Sequence, residues 1–419
     1  MSSTNRPTTT VALAYPNPAL VGMADPGFEA LIARVAALPD LICERFFLRD
    51  ERPPDRRLFE FDILAFFLSS EGDFLNVLQF LQKDDLPLLA HERQEDWPLV
   101  ALAGPCAIRN PEPLAAFVDL VFLDDESWNT LRLFRPPRRK EGFLERALES
   151  PGIYIPRLYK VTYQEDGTIA LVVGEGGAPL PVNRSTVPRS TPTLQSEEVE
   201  RVSSNVKRRT VAVEVGAGTE RLRRMIGVHL DEQGLFDTVD QSVSSEATHL
   251  RLSFWIGLPT ETDDDVQAIP ELTKRIKHRI LQSRRDERRL GEIVVSLRTF
   301  IPRAWTVFQW IPMAEVAVLE ERVKGIERAL RFQGIRVGHD VLKWAYLQAV
   351  LARADRRASV LLCSALAGSG DWKRAFREWF LNPDFFALRK RPLNEVFPWD
   401  HLWTGKDHLV ERYRGLGLG

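Results

Sequence analysis

Apolar residues in the first third of the chain follow two periods, one typical of strands and one typical of helices. Apolar runs predict strands at 10–16, 42–48, 61–70, 98–105 and 119–125. Helical patterns at 27–38 and 73–85 lie between some of them. Continuous apolar strands separated by helices favour a parallel sheet that is covered on both faces. Residues 152–175 then predict a hairpin that turns at Asp166-Gly167.

The pattern changes character after residue 175. Residues 176–209 are rich in Pro, Ser, Thr and charge and show no apolar period, which indicates a polar linker. The strand–helix alternation resumes at residue 210. Strands are predicted at 210–215, 248–256 and 292–300, and helices at 231–246, 263–285, 315–332 and 339–357.

Composition narrows the class of protein. The chain has 419 residues and a formal net charge of −2, so no global charge points to nucleic acid as a partner. No apolar run is long enough to span a bilayer. The first ten residues are polar and lack the apolar core of a secretion signal, so we expect a cytoplasmic protein without a membrane span. The three cysteines, Cys43, Cys106 and Cys363, form no CxxC pattern and are expected to be buried reduced thiols.

Many short segments, in order, resemble one family: the radical S-adenosylmethionine (SAM) proteins that carry a cobalamin-binding domain. The segments that carry the resemblance are YPNPALVGMADPGF, CERFF, FDILAFFLSSEGDFLNVL, LAGPCAIRNPEPLAAFVD, GIYIPRLY, AGTERLR, FWIGLPTETDDDV, TFIPRAWTVFQWIPM, LARADRR and FPWDHL. The resemblance covers nearly the whole chain outside the linker. It implies an α/β fold with an N-terminal Rossmann-like parallel sheet domain, a truncated (βα) radical-SAM-like partial barrel and a mainly helical C-terminal region.

The resemblance also implies domain boundaries, which we place from the sequence. They are a Rossmann-like, cobalamin-binding-type domain at 1–175, the polar linker at 176–209, a truncated radical-SAM-like half barrel at 210–312 and a mainly helical domain at 313–419.

The chain departs from the family where the catalytic centre belongs. In the family, a long segment before AGTER carries CxxxCxxC, whose three thiolates bind a [4Fe–4S] cluster, and SAM chelates the fourth iron. Here residues 176–209 stand in that place and contain no cysteine. Iron in such a cluster needs soft anionic ligands. We therefore expect no [4Fe–4S] cluster. In the family, a DxHxxG motif commonly supplies the lower axial histidine of cobalamin. None of the seven histidines here lies in such a motif, so the resemblance makes cobalamin unlikely as a cofactor.

The GAGTE loop is one of two loops that could still hold a ligand. Gly216 and Gly218 allow close backbone approach, and Thr219 can cap the helix that follows. The resemblance implies that this loop lies beside the ribose and amino-acid part of SAM, with Glu220 and Arg223 facing the ligand. A plain strand–helix turn explains the same residues equally well.

The GLPTE loop is the second candidate. Its strand ends at Gly257, Pro259 fixes the turn, and Thr260 or Thr262 can cap the next helix. The resemblance implies that adenine approaches the main chain here, and residual SAM is the ligand that both loops would hold. An ordinary turn between strand and helix is the stronger alternative.

Three other features have structural alternatives. Aromatic and basic residues in 299–313 and 397–403 could stack a base, but buried core is the commoner explanation. The basic run at 354–359 is expected to be solvated or paired with acidic residues, with a phosphate contact as the lesser alternative. His401 is expected to be structural or to cap a helix.

The leading hypothesis is a degenerate radical SAM homologue without a cluster, which acts as a binding or scaffolding subunit and not as an enzyme. The alternative is an enzyme that retains SAM or cobalamin. A truncated barrel would leave N–H and C=O groups of strand 210–215 unpaired, and Phe254, Ile256 and Val295 or their neighbours uncovered. The N-terminal sheet, the 176–209 segment or a second polypeptide could cover them. We therefore expect a protein partner, either a second copy or a larger complex, at this open edge.

Overall fold

The first half of the chain forms a six-stranded sheet with helices on both faces. The structure is a computed structural model that describes residues 9–48, 57–134, 140–182, 210–244, 249–283 and 292–418. The strands are β1 (Thr9–Tyr15), β2 (Leu41–Phe47), β3 (Ile63–Phe67), β4 (Leu99–Ala103), β5 (Leu120–Phe122) and β6 (Ile153–Tyr154), in the spatial order β2-β1-β3-β4-β5-β6. The first five are parallel, and β6 is antiparallel to β5. All five predicted strands are confirmed.

Five helices accompany this sheet: α1 (Ala19–Gly22), α2 (Pro26–Ala36), α3 (Phe74–Lys83), α4 (Pro105–Arg109) and α5 (Lys140–Ala147). Alternate residues of β3 enter different cores: Leu64 and Phe66 pack on the α3 side, whereas Ile63, Ala65 and Phe67 pack on the α2 side. The two predicted helices correspond to α2 and α3. Helix α2 begins where Asp25 accepts hydrogen bonds from the N–H groups of Gly27 and Phe28.

The predicted hairpin is confirmed by strands β7 (Tyr159–Tyr163) and β8 (Ile169–Gly174). Its turn contains Asp166 and Gly167, and the Asp166 carboxylate accepts a hydrogen bond from the Thr168 N–H. Most of the predicted linker, residues 183–209, lies outside the described residues.

A second sheet follows, and all four of its strands are parallel. It contains β9 (Thr210–Gly216), β10 (His249–Ile256), β11 (Glu292–Thr299) and β12 (Ile335–His339), in the order β12-β11-β10-β9. Its helices are α6 (Glu220–Met225), α7 (Glu232–Ser244), α8 (Asp263–Ser283) and α9 (Val316–Leu330). The three predicted strands are confirmed. Strand β12 was not predicted, because its five residues include Arg336 and Gly338 and are too short to show a clear alternation.

The apolar face of the second sheet is covered by the chain itself. Phe254, Ile256 and Val295 are fully buried, and helices α7, α8 and α9 pack against the sheet. The expectation that these three side chains lack cover is therefore wrong, because the helices that follow the strands cover them. Strand β9 does lie at an edge of the sheet, as predicted.

The C-terminal region is mainly helical, as predicted. Its helices are α10 (Leu342–Arg353), α11 (Ala358–Ala367), α12 (Trp372–Glu378), α13 (Asp384–Ala387) and α14 (Lys406–Gly415). They share one apolar core with the second sheet and with one face of the first. The aromatic segments are part of this core, since Trp310, Phe397 and Trp399 are fully buried. The core interpretation of these segments is confirmed.

The basic run at 354–359 contacts the first part of the chain through Arg356. The guanidinium of Arg356 donates to the buried Glu112 carboxylate, with 2.8 Å between Nε and Oε2. It also donates to the backbone oxygen of Tyr159 at 2.6 Å. His401 is buried and packs against the rings of Tyr154 and Tyr159. Acidic pairing of the basic run is thus confirmed.

Among the described residues, no helix is long and apolar enough to cross a membrane.

Candidate functional site

The two loops predicted to hold a ligand lie side by side. Strands β9 and β10 are parallel neighbours, so their carboxyl ends, and the loops that follow, meet at the same edge of the sheet. The Arg221 side chain bridges them: its Nη1 donates to Thr260 Oγ1 at 2.9 Å and its Nη2 to the Thr260 backbone oxygen at 3.0 Å. This is the edge at which α/β sheets usually bind ligands.

Asp265, at the start of α8, is the polar centre of this edge. Thr219 Oγ1 donates to Asp265 Oδ1 at 2.5 Å, and the Thr262 N–H and hydroxyl donate to Oδ2 at 2.9 and 2.8 Å. Arg221 also pairs with this carboxylate. Burial works to raise the pKa of Asp265, but the hydrogen bonds from Thr219, Thr262 and Arg221 outweigh it and hold the pKa below its usual range. Asp265 is therefore a charged group whose partners come from this chain.

The side chains of Thr219 and Glu220 bond to neighbouring residues of this chain. Thr219 occupies the N-cap position of α6, but its side chain makes no capping hydrogen bond; it bonds to Asp265 instead. This differs from the expectation that Thr219 caps the helix. Glu220 forms an ion pair with Arg224 one turn further along α6, at the protein surface.

Arg223 points into the protein. The residue is 2% exposed. Its Nη1 donates to the backbone oxygens of Ala217 and Gly218 at 3.1 and 3.2 Å. Its Nε donates to the backbone oxygen of Leu230 at 3.0 Å. Burial lowers the pKa of Arg223 from its usual value. Its role in the structure is to hold the GAGTE loop, which differs from the expectation that it faces a ligand.

The glycines of the loops are needed for packing. Gly216 and Gly257 have positive φ angles of 82° and 78°. A Cβ on Gly218 would lie 2.7 Å from the Asp265 backbone oxygen and 2.8 Å from the Ile269 nitrogen. A Cβ on Gly257 would lie 2.8 Å from Leu319 Cδ2. Gly218 and Gly257 therefore let helices of this chain approach the loops.

Glu261, the last residue of the GLPTE loop, accepts a hydrogen bond from the backbone of the same loop. Pro259 is buried, and Thr260 adopts a left-handed conformation with φ of 58°. The Gly257 N–H donates to Glu261 Oε2 at 2.7 Å, and Arg322 of α9 donates to the same oxygen at 2.5 Å. Burial raises the pKa of Glu261 to about 7, against the opposing effects of Gly257 and Arg322.

A second group of polar side chains lies on the face of the second sheet opposite the one that helices α7, α8 and α9 cover. Glu214 of β9 and Arg298 of β11 approach to 3.8 Å between Oε2 and Nη1, and the guanidinium lies 5.7 Å from the ring centre of Trp255. Both carboxylate oxygens of Glu214 are buried without a hydrogen-bond partner of good geometry. Burial raises the pKa of Glu214 to about 7, against the opposing effects of Arg298 and the Gly216 N–H.

The sequence analysis did not identify Glu214, Trp255 and Arg298 as a group. The alternation of each strand carries the signal, since odd positions of β10 and even positions of β11 share this face.

The three cysteines do not fit an iron–sulfur cluster. Cys43 lies on β2, Cys106 on α4 and Cys363 on α11. Cys43 packs with the core on one face of the first sheet, and Cys106 belongs to the core on the other face. Burial raises the pKa of Cys43 to about 11 and also raises those of Cys106 and Cys363. These thiols are therefore separated and disfavoured as thiolates. Within the described segments, no group of three metal-binding side chains comes together.

Comparison with known proteins found one family model and one curated relative of low identity. A family model described as "Radical SAM proteins, N-terminal" matches residues 27–156, the part of the first sheet from α2 to β6. Over these residues the chain is similar to the N-terminal region of radical SAM proteins. It is also similar to an uncharacterised protein of Methanocaldococcus jannaschii, with 29% identity over 157 residues, 38% of this chain and 33% of that protein. The chain thus spans about a third of the length of the curated relative that it matches.

Proposed function

We propose that this protein is a degenerate radical SAM-related protein that holds no iron–sulfur cluster and acts as a binding or scaffolding subunit of an assembly. The observation that carries the proposal is the set of cysteines. The whole sequence has three, they lie on three different elements, and two of them belong to opposite faces of one sheet. No CxxxCxxC motif can be built from them.

The chemistry of the cluster supports the proposal. A [4Fe–4S] cluster is held by thiolates, and the three cysteines of this chain stand far apart in sequence, at 43, 106 and 363. Without the cluster, SAM has no iron to chelate and no electron source for its reductive cleavage. The family's radical reaction therefore has no starting point in this chain.

The retained fold favours binding over chemistry. At the edge where the two loops meet, Asp265, Glu261 and Arg223 bond to groups of this chain. These contacts make the loops a rigid joint between α6, α8 and α9. Among the described residues, β9 pairs with β10 alone, and an edge strand of this kind suits a subunit that presents surfaces to a partner.

An iron assay tests the proposal. The full chain is purified anaerobically and reconstituted with iron and sulfide, beside a variant in which Cys43 and Cys363 are both replaced by Ser. We expect trace iron in both proteins and no broad absorbance near 400 nm. About four irons per chain in the unmodified protein, lost in the variant, would overturn the proposal.

The alternative is an enzyme that keeps SAM without a cluster. The observation that favours it is the meeting of the two loops at the carboxyl edge of the sheet. Calorimetric titration with SAM and S-adenosylhomocysteine separates the two ideas. The scaffolding proposal predicts no saturable heat up to ~1 mM ligand, which corresponds to a binding free energy weaker than about −4 kcal/mol. Saturable binding would favour the alternative.

A further inference from the structure

The carboxyl edge of the first sheet is the place where this fold would hold a large cofactor. Strand β1 lies between β2 and β3, so the order of the strands reverses there, and α/β sheets usually bind ligands outside the strand ends at such a reversal. The resemblance implies a domain of the cobalamin-binding type. The lack of a DxHxxG motif removes an axial histidine, but it does not by itself close the crevice to a corrin ring. The shape of this edge decides whether a corrin fits.

The segment from Gly22 to Gly27 lies across the ends of β1, β2 and β3. A Cβ on Gly22 would lie 2.5 Å from Phe47 Cε1 and 2.9 Å from Tyr15 Cγ. A Cβ on Gly27 would lie 3.0 Å from Phe67 Cζ. These three aromatic residues are the last residues of β2, β1 and β3. The segment therefore packs directly onto the strand ends, where a cofactor would have to lie.

Side chains of this segment also close the crevice between β1 and β3. The Tyr15 hydroxyl donates to Asp25 Oδ2 at 2.9 Å, and the Ser69 hydroxyl donates to the same oxygen at 2.5 Å. Tyr15 ends β1 and Ser69 follows β3, so Asp25 links the two strand ends. Its other oxygen, Oδ1, accepts hydrogen bonds from the N–H groups of Gly27 and Phe28. Both oxygens of this carboxylate are therefore bonded to groups of this chain.

The C-terminal region covers the ends of β3 and β4. Gln348 of α10 lies at the turn after β3, where its Nε2 donates to Glu71 Oε2 at 2.8 Å. Asn110 follows α4, and its Nδ2 donates to the backbone oxygens of Ala352 and Ala354 at 3.1 and 2.8 Å. Glu71 and Asn110 are both 3% exposed. These polar groups are therefore paired with the C-terminal region and hidden from a ligand.

The two sets of contacts close the edge from both sides. We propose that the first domain holds no corrin cofactor, and that this edge instead serves as the docking surface for the C-terminal region of the same chain. Residues 67–71 and 103–110, at the ends of β3 and β4, are all buried or partly buried. A corrin ring is wider than the ~4.8 Å spacing of neighbouring strands, so it would have to span at least two covered strand ends.

Equilibrium dialysis against hydroxocobalamin tests whether the edge is closed to a corrin. The full chain is purified anaerobically and dialysed against ~100 μM hydroxocobalamin, a concentration that detects binding of micromolar affinity. The corrin absorbance is then compared on the two sides of the membrane. We expect equal absorbance, as in a cell that contains no protein. One equivalent of corrin retained per chain would overturn the proposal.

Hydrogen exchange of a matched pair of asparagine variants tests the docking of the C-terminal region. Asn110→Ala leaves two buried backbone oxygens at the end of α10 without their donor, so we expect the amides of 350–358 to exchange about tenfold faster or more. Asn129→Ala is the control, because Asn129 is exposed and donates to the side chain of Glu126 at the surface. We expect this control to leave exchange at 350–358 unchanged. Equal effects of the two substitutions would contradict the docking.

Gln348→Met gives a second measurement, which does not depend on the folding of the Asn110 variant. This substitution removes the donor that α10 offers to Glu71, so we expect the amides of 68–73 to exchange faster than in the unmodified protein. Unchanged exchange at 68–73 would exclude the contact of α10 with this edge.

The outcome of these experiments is independent of the cluster-free proposal. Dialysis and hydrogen exchange concern the first domain and a corrin, whereas the iron assay concerns thiolates and a cluster. Retention of hydroxocobalamin together with trace iron would overturn this inference alone. About four irons per chain without retained corrin would overturn the cluster-free proposal alone.

Discussion

The backbone N–H of Gly257 donates a hydrogen bond to the Glu261 carboxylate, with 2.7 Å between the nitrogen and Oε2. The loop that resembles an adenine-binding loop therefore satisfies its own main chain. The same residue, Gly257, adopts a φ of 78° and packs against Leu319. Loss of this glycine would disturb the fold before it disturbed any ligand.

Gly257→Ala tests this packing role. The substitution places a Cβ in a left-handed conformation and against Leu319, so we expect the free energy of unfolding to fall by about 2 kcal/mol. Gly325→Ala is the matched control, because Gly325 lies within α9 and an added Cβ would meet nothing within 4 Å. We expect that variant to be more stable by about 0.5–1 kcal/mol. Chemical denaturation measures both, and equal effects of the two substitutions would contradict the packing account.

The charge of Glu214 should make stability depend on pH. Burial raises its pKa from the ordinary 4.5 to about 7, so the folded protein binds an extra proton between these values. The contribution of this extra proton to the free energy of unfolding is therefore fully present below pH 4.5 and is lost as the pH rises through 7. Relative to the unmodified protein, Glu214→Gln should therefore gain up to about 3 kcal/mol between pH 4.5 and pH 8. Unfolding by urea at several pH values measures this difference, and a constant difference across the range would refute the assignment.

Two arginines on α6 offer a direct comparison of buried and exposed side chains. Arg223 is buried and bonds to three backbone oxygens, so Arg223→Met should cost about 2–3 kcal/mol by leaving buried acceptors unpaired. The Arg221 side chain is 52% exposed, and Arg221→Met should cost less than about 1 kcal/mol. Thermal or chemical unfolding checks the ranking. The reverse ranking would mean that Arg223 does not hold the loop.

The pair formed by Glu112 and Arg356 should couple the first domain to the C-terminal region. Glu112 is almost fully buried and Arg356 largely so, and breaking a buried pair by removing one partner typically costs about 3–5 kcal/mol. We expect Arg356→Met to destabilise the protein by that order. Glu220 and Arg224 form an exposed pair on α6, and Arg224→Met should cost about 0.5 kcal/mol. Similar losses in the two variants would show that the buried pair does not join the domains.

The strands and helices of the first domain could be predicted from the sequence because buried parallel strands such as β3 and β4 are continuous apolar runs. Strand β12 could not, since five residues with Arg336 and Gly338 carry too little pattern. The meeting of the two loops followed from strand order alone. The orientation of the Arg223 side chain could not be predicted. Sequence spacing places a residue on a helix but does not indicate which backbone oxygens lie within hydrogen-bonding distance of its side chain.

The prediction that side chains of the second sheet would be uncovered was wrong, because it took too little account of the helices. Comparison with a complete barrel suggested that Phe254 and Ile256 would lose their neighbours. The side chains that bury them belong to the helices on the same face of the sheet, and these helices are present.

The most direct test of the cluster-free account is reductive cleavage of SAM. The anaerobically reconstituted full chain is incubated with SAM and a strong reductant, and 5′-deoxyadenosine is quantified. We predict no deoxyadenosine above a control without protein, because the chain lacks three thiolates in cluster spacing. Deoxyadenosine formed in proportion to protein, and abolished when Cys43 and Cys363 are replaced by Ser, would contradict the account.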